Sequence, residues 1–330
     1  MHALDLHFTH QSKASLTFRA PDSSLRTAFW ASLILLAGAA PMQAVLPSAP
    51  TQAAVMRMFD AWRAPVPPRH LLANIYYVGA SGVSSFLITT PEGHILLDTG
   101  FDDTVPIIRE GVTQLGFKLT DIKIIISSHA HIDHVGGHAL MQKLTGARIY
   151  ASAGDARLLA SGGTDDFIPF PRETIVYAPV TVDHVVADGE HVTLGNVTLT
   201  AHLTPGHTRG ATTWTMDAVV DGALRRIVFF SSTTINAGTR LLHNPLYPEI
   251  VREFETTLTR LKALPCDIFF APHGGQFGMA EKIARLDRDE TPNPFIDPDG
   301  WRNLVTRAER TFRDQLAAER AAERNSGPDR

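Results

Sequence analysis

Ile124-Ile125-Ile126-Ser127-Ser128-His129-Ala130-His131-Ile132-Asp133-His134-Val135-Gly136-Gly137 decides how this chain is read. An apolar run of strand type stops at Ser128, and four metal-competent side chains follow within six residues. In extended backbone, side chains at i and i+2 share a face, so His129 and His131 can grip one ion together. The chain then turns toward a helix near Gly136, which swings Asp133 and His134 toward a second point. Imidazole mixed with carboxylate suits zinc, whereas calcium and magnesium prefer all-oxygen shells.

Two further histidines occur in similar settings. Thr204-Pro205-Gly206-His207-Thr208 follows the strand candidate Val197–Leu203, and Ala271-Pro272-His273-Gly274-Gly275 follows Ile268–Phe270. Each His leaves a strand end between Pro and Gly, residues that hold a tight turn. Three such loops at one sheet edge would collect six ligands.

Outward from these loops, short β-rich runs alternate with turn signals from about residue 71. Strands are expected at 75–78, 84–89, 94–98, 123–128, 149–151, 192–194, 197–203, 212–216, 226–231 and 268–271. Val219-Val220-Asp221-Gly222 reads as a hairpin turn. Helical spacing occurs at about 104–116, 136–145, 155–161, 248–263, 279–286 and 299–323, the last with Leu304, Ala308, Phe312 and Leu316 along one face. Helices separate groups of strands instead of alternating strictly with them, so two sheets with helices on their outer faces fit better than one doubly wound sheet. The absence of repeats or a linker implies a single domain over 45–323, with a disordered tail at 324–330.

The chain has 330 residues, 44% of them hydrophobic, enough for a large core. A net charge of −4 argues against a partner bound through its phosphates. The single cysteine, Cys266, excludes an intrachain disulfide and any site needing two thiolates from one chain. Arg26 precedes the apolar run Ala28–Ala40, and small residues follow at Ala39, Ala40 and Ala44, the order of a secretory signal. The run is shorter than the roughly 18 residues a bilayer span needs. Residues 1–44 are therefore expected to be removed on export to the periplasm, leaving a mature chain of net charge −5 with no stable membrane association.

The string His129 to His134, with Asp98-Thr99-Gly100 upstream and Gly206-His207 and His273 downstream, resembles the metallo-β-lactamase superfamily. Finer features resemble the third subclass of zinc β-lactamases: Tyr76-Tyr77-Val78-Gly79 running into Ser84–Ile88, the stretch Ser161–Phe167, Asn244-Pro245 with Tyr247-Pro248, and Leu264-Pro265-Cys266-Asp267. The resemblance covers nearly all of the chain after the export segment. It implies an αββα sandwich with metals at one edge between the sheets. It also implies two zinc ions per chain, one held by His129, His131 and His207, the other by Asp133, His134 and His273. The implied reaction is hydrolysis of the β-lactam ring of penicillins, cephalosporins or carbapenems by a metal-bound hydroxide that Asp133 orients.

Thioesterases, lactonases and nucleases of that superfamily carry a metal-bridging aspartate at the end of the strand that here reads Arg226-Ile227-Val228-Phe229-Phe230-Ser231-Ser232. Serines stand in its place, as in the third subclass. Ser232 and Thr234 become candidates to bind the substrate carboxylate, or else hydroxyls satisfied within the strand-end turn. The rival readings are a lactonase or thioesterase of the same fold, which the missing aspartate disfavours, and a non-enzymatic periplasmic zinc-binding protein, which would have lost a ligand. The expected partner is a small-molecule β-lactam, with no nucleic acid and no obligate protein partner. Asp98 is read as an anchor for the loop behind the metals, His138 as structural, and Cys266 as a packed thiol. His70, His94, His184, His191, His202 and His243 are read as solvated or locally bonded, while Phe167 and Phe170 either flank the cleft or join the core.

Overall fold

The computed structural model describes residues 48–326; residues 1–47, which include the segment expected to direct export, and residues 327–330 lie outside the described residues. The chain opens with α1 (Gln52–Trp62) and then a meander of β1 (Arg69–Leu72), β2 (Ile75–Tyr77), β3 (Phe86–Thr90) and β4 (Gly93–Leu97). It continues through α2 (Val105–Gln114), β5 (Ile122–Ile126), the single turn α3 (Ile132–Val135), α4 (His138–Thr145), β6 (Arg148–Ser152), α5 (Ala153–Ala160) and β7 (His184–Val186). These seven strands form one sheet in sequence order, antiparallel up to β4 and parallel from β4 to β7. The second sheet runs β12-β11-β10-β9-β8, from β8 (His191–Leu194), β9 (Val197–Leu203), β10 (Thr212–Val220), β11 (Ala223–Phe229) and β12 (Ile268–Phe270). Helix α6 (Ile250–Ala263) makes the crossover that sets β12 parallel to β11, and α7 (Met279–Leu286) and α8 (Pro298–Ser326) finish the chain.

Two apolar faces meet between the sheets, where Phe86 packs against Phe229 and Phe270 with ring centroids 5.6 and 5.0 Å apart. The outer face of the first sheet, through Leu87, Leu96, Ile125 and Ile149, is covered by Ile108 and Val112 of α2, Met141 of α4 and Leu159 of α5. Strands β4 and β5 are thus covered on both faces, which is why Ile124-Ile125-Ile126 is continuously apolar instead of alternating. On the far side, α6 and α8 bury Phe254, Leu258, Phe312 and Leu316. The result is the expected αββα sandwich.

The hairpin read at Asp221-Gly222 is present: both residues take positive φ, 50° and 74°, between paired Val220 and Ala223, as a two-residue turn of primed type demands. Three elements carry no legible signal and were not expected. β1 and β7 are short edge strands held by their neighbours, and α1 precedes the first strand. Helix α8 runs to Ser326, beyond the expected end at 323. The reading of His94 as solvated or locally bonded fails. Its ring is buried on β4 against Phe117, centroids 5.0 Å apart, and Nδ1 has no hydrogen-bond partner.

The strand directions gather the loops. β9 and β11 each run antiparallel to β10, and β12 runs parallel to β11, so all three end at the same sheet edge. Two bonds fasten that edge to the loop after β5: the Trp214 indole N–H donates to the Ser127 carbonyl at 3.0 Å, and Thr212 N–H to the Ser128 carbonyl at 2.8 Å.

Candidate metal centre

His129 and His131 leave β5 in extended backbone, and α3 then turns Asp133 and His134 inward, as the spacing implied. His207 follows β9 on a turn in which Gly206 takes φ +134°, with the Phe254 ring 2.9 Å from where a Cβ would stand. His273 follows β12. Two groups of three side chains bring their ligand atoms within 4.8 Å of one another: His129, His131 and His207, and His129, Asp133 and His134. His273 Nε2 lies 3.5 Å from Asp133 Oδ2, and His134 Nε2 lies 3.1 Å from the same oxygen. The six side chains are therefore collected at one place.

Hydrogen bonds fix which nitrogens face inward. His207 Nδ1 lies 2.6 Å from the Thr234 carbonyl, and His273 Nδ1 lies 2.9 Å from the Gly82 carbonyl. A carbonyl only accepts, so both Nδ1 atoms carry the proton and both Nε2 atoms present lone pairs. Ser128 Oγ donates its proton to Asp98 Oδ2 at 2.7 Å, which leaves His129 Nδ1, 3.2 Å from that Oγ, to donate in turn. His129 Nε2 and His207 Nε2 therefore face each other at 3.1 Å with lone pair toward lone pair. His273 Nε2 likewise turns a lone pair toward a carboxylate. In a buried site such an arrangement is repulsive unless a cation lies among the donors, so the residues fit metal ions.

The electrostatics agree. Burial first, and then the charges of neighbouring imidazoles, hold His129 well below the ordinary histidine range, and His207 is lowered chiefly by burial. Both are neutral, as ligands must be. Burial pushes Asp133 upward, but the imidazoles of His134, His273 and His131 outweigh it and keep the carboxyl ionised. His134 is the exception: with no cation beside it, Asp133 and Asp98 raise it to about 10 despite burial, so a metal ion held by this ring would displace its proton and supply the positive charge those carboxylates favour.

A second ring of residues holds the first. Asp98, at φ +59°, accepts from Ser128 N–H and Ser128 Oγ, both at 2.7 Å, and its Oδ2 lies 3.2 Å from His134 Nδ1. It anchors the loop, as its reading proposed. His138 is structural: Nδ1 pairs with Thr99 Oγ1 at 2.8 Å and Nε2 with Ser127 Oγ at 3.2 Å. Asp166 was missed by sequence reasoning. Its Oδ2 sits 3.3 Å from His131 Nε2, leaving Nδ1 of that ring for the centre. Although Asp166 falls in a quoted stretch, its partner is 35 positions earlier in the chain, so no local pattern marks it. Phe167 packs on Tyr247 in the core, whereas half-buried Phe170 lines the cleft. Cys266 is a packed thiol, its S–H directed at the Ile268 carbonyl, with burial raising its pKa.

Of the hydroxyls after β11, Ser231 is absorbed by Thr204 and Thr213, at 2.8 and 3.2 Å. Ser232 lines the cleft, its Oγ accepting from Thr234 N–H at 3.2 Å, and Thr234 lines it too while giving its carbonyl to His207.

Comparison with known proteins agrees with this geometry. Residues 78–273 match the family described as the metallo-beta-lactamase superfamily. The chain belongs to that superfamily. Among solved structures, this superfamily member is similar to FEZ-1, a metallo-beta-lactamase from Legionella gormanii, at 38% identity and a TM-score of 0.75, covering 77% of this chain and 97% of that one. It is also similar to BJP-1, a subclass B3 metallo-beta-lactamase of Bradyrhizobium japonicum, at 40% identity and a TM-score of 0.74, covering 79% and 97%. Among curated proteins it is 26% identical to a hydroxyacylglutathione hydrolase of Maricaulis maris, over 74% of this chain and 82% of that protein. The chain is thus a hydrolase of this superfamily, most like its third β-lactamase subclass.

Proposed function

We propose that the chain is an exported zinc β-lactamase. The observation that carries this reading is the end of β11. There the chain offers Ser231 and Ser232, one tied into a hydroxyl cluster and the other on the cleft, where a thioesterase or lactonase of this fold would place a metal-bridging carboxylate. The identities of 38–40% to solved β-lactamases across nearly their whole length add support.

In this reading His129, His131 and His207 hold one zinc, and Asp133, His134 and His273 the other. Bound zinc supplies Lewis acidity and a water that ionises near neutral pH. Asp133 would serve as a ligand and, as an ionised carboxylate lining the cleft, as a proton acceptor there. Ser232 Oγ, buried in the cleft lining, and the exposed Thr234 would receive the substrate carboxylate. The sandwich edge buries the reaction side of the cleft, so these polar groups act in a medium less screening than bulk water.

The hydroxyacylglutathione hydrolase match supports a second reading, a thioesterase. Purified protein assayed with and without added zinc separates the two. A chromogenic cephalosporin should be opened, while a hydroxyacylglutathione thioester and an acyl-homoserine lactone should not. Turnover of the thioester or lactone with no β-lactam opening would overturn the proposal. Export rests on residues 28–44 and is checked by the mass of the secreted form, which should begin near Pro41 or Val45.

A further inference from the structure

Between β11 and α6 the chain runs through residues 230–249 without helix or strand, and part of that loop faces the cleft. Ser232, Thr234, Ile235 and Asn236 line the cleft, and the Thr234 carbonyl fixes His207. A loop this long moves unless something outside it holds it. Here the hold comes from the C-terminal half of α8.

Gln315, Glu319 and Glu323 recur at intervals of four and therefore share one helical face. That face meets the loop residue by residue. Gln315 Nε2 donates to the Thr239 carbonyl at 2.8 Å. The Glu319 carboxylate accepts from Leu241 N–H at 2.9 Å and from Leu242 N–H at 2.7 Å, and Glu323 Oε1 lies 3.1 Å from His243 Nε2. Glu319 is 4% exposed, and its remaining partner is Gln315 Nε2 at 2.9 Å, so among the described residues N–H groups alone satisfy this buried carboxylate. A charge so placed is costly unless donors are already aimed at it.

The grip passes to the cleft over a few residues. Thr239 N–H donates to the Asn236 carbonyl at 2.9 Å, closing a turn in which Gly238 takes φ +86°, with Ala49 Cα 2.7 Å from where a Cβ would stand. Asn244 Nδ2 donates to the Arg240 carbonyl at 2.9 Å, and its Oδ1 accepts from Leu246 and Tyr247 N–H at 3.0 and 3.1 Å.

We propose that Glu319, with Gln315 and Glu323 beside it, is a positioning residue: the last turns of α8 hold loop 230–249 where Ser232 and Thr234 meet the substrate's anionic end and the Thr234 carbonyl orients His207. The substrate half of this inference rests on the β-lactamase reading; the brace itself does not. Glu319 does not line the cleft, so its loss acts through the loop. Contacts to the anionic end are remote from the bond being broken, and a displaced loop therefore raises KM more than it lowers kcat.

The test is Glu319→Leu, close in volume but without an acceptor, which leaves Leu241 and Leu242 N–H unpaired. In zinc-loaded protein, KM for a chromogenic cephalosporin should rise about tenfold, with kcat within about threefold of wild type. Limited trypsin treatment is a readout independent of turnover. Arg240 is exposed, but the bond after it is held on both sides, its carbonyl by Asn244 and its N–H by Glu319. Cleavage there should be at least about tenfold faster in Glu319→Leu than in wild type. Glu319→Gln keeps an oxygen for both N–H groups and should restore wild-type behaviour in both assays. Val305→Ala, which opens a cavity under the first half of α8, should lower the melting temperature and change neither. If Glu319→Leu does not fold, Gln315→Leu, which releases Thr239, should show both changes at about threefold, and their absence would count against the brace. Unchanged KM and trypsin pattern in folded Glu319→Leu, equal damage from Glu319→Gln, or the same changes from Val305→Ala would overturn it. If the wild type opens no β-lactam, the β-lactamase reading falls, and the trypsin arm alone decides whether Glu319 holds the loop.

Discussion

The two sides of the cleft are built on opposite principles. On the metal side the ligands are held from behind by directional bonds. Asp98 holds Ser128, Ser128 holds His129, Gly82 holds His273 and Thr234 holds His207, all on loops clamped between strand ends. On the α1 side, Ala54, Met58 and Trp62 meet the cleft through apolar surface alone and sit on a helix outside both sheets. A directional network allows one arrangement and punishes any change, whereas an apolar wall tolerates exchange at the cost of contact area.

The sharpest break in that comparison comes from metal removal. A chelator should abolish turnover and lower the melting temperature, and zinc should restore both, with close to two ions per chain by elemental analysis. Full activity after exhaustive metal removal would leave the lone-pair geometry of His129 and His207 without a purpose. Asp133→Asn follows. It keeps the shape but removes the charge facing His134 and His273, and should cut turnover by about 100-fold or more with the fold intact by circular dichroism. Near-normal turnover at normal zinc content would remove Asp133 from the reaction. Asp98→Asn touches no substrate, yet it loosens Ser128 and the partner of His134 together. Zinc affinity should fall roughly 10- to 100-fold, read by competition with a chromophoric chelator.

Legibility in the sequence divides along the same line. His129 to His134 announce themselves because extended backbone and one helical turn convert spacing directly into direction. His207 and His273 were found because Pro and Gly mark strand ends, and strand ends are where open sites collect. The paired sheets could be read from β-rich runs grouped between helices. Asp166, the Gly82 carbonyl and the wall of α1 could not. Each matters through a partner far away in sequence, and α1 is a short amphipathic segment whose apolar face has meaning only once the cleft beside it exists. His94 misled for the same reason, since Phe117, which covers it, belongs to another part of the chain.

Ser232 tests the boundary between the two sides. Ser232→Asp would set a carboxylate beside the ligand cluster, where it competes with the substrate's own and makes the metals less electrophilic. β-Lactam turnover should fall sharply, and more than in Ser232→Ala, which costs one hydrogen bond to a charged group, about 1.5 kcal/mol or roughly tenfold. Equal effects from the two substitutions would move Ser232 away from the metals.

The smallest expected effect lies behind the metals and asks whether the bonded side stores pH dependence in its packing. Burial, with help from the charge of His134, depresses the His138 pKa from 6.5 to about 3. Below pH 6.5 the unfolded chain takes up a proton at this residue that the folded chain refuses, so stability falls as pH falls. The loss levels off near pH 3, where the folded form is protonated as well. One such group contributes at most about 1.4 kcal/mol per pH unit. His138→Gln can still bond Thr99 and Ser127 but cannot titrate. In urea unfolding of chelator-treated protein at pH 7, 6 and 5, the wild type should start more stable and lose its advantage steadily with acidity. Parallel curves would mean that His138 opens to water or is protonated in place. The tightly bonded lining would then be more permeable than its hydrogen bonds imply, and the contrast with the α1 wall correspondingly weaker.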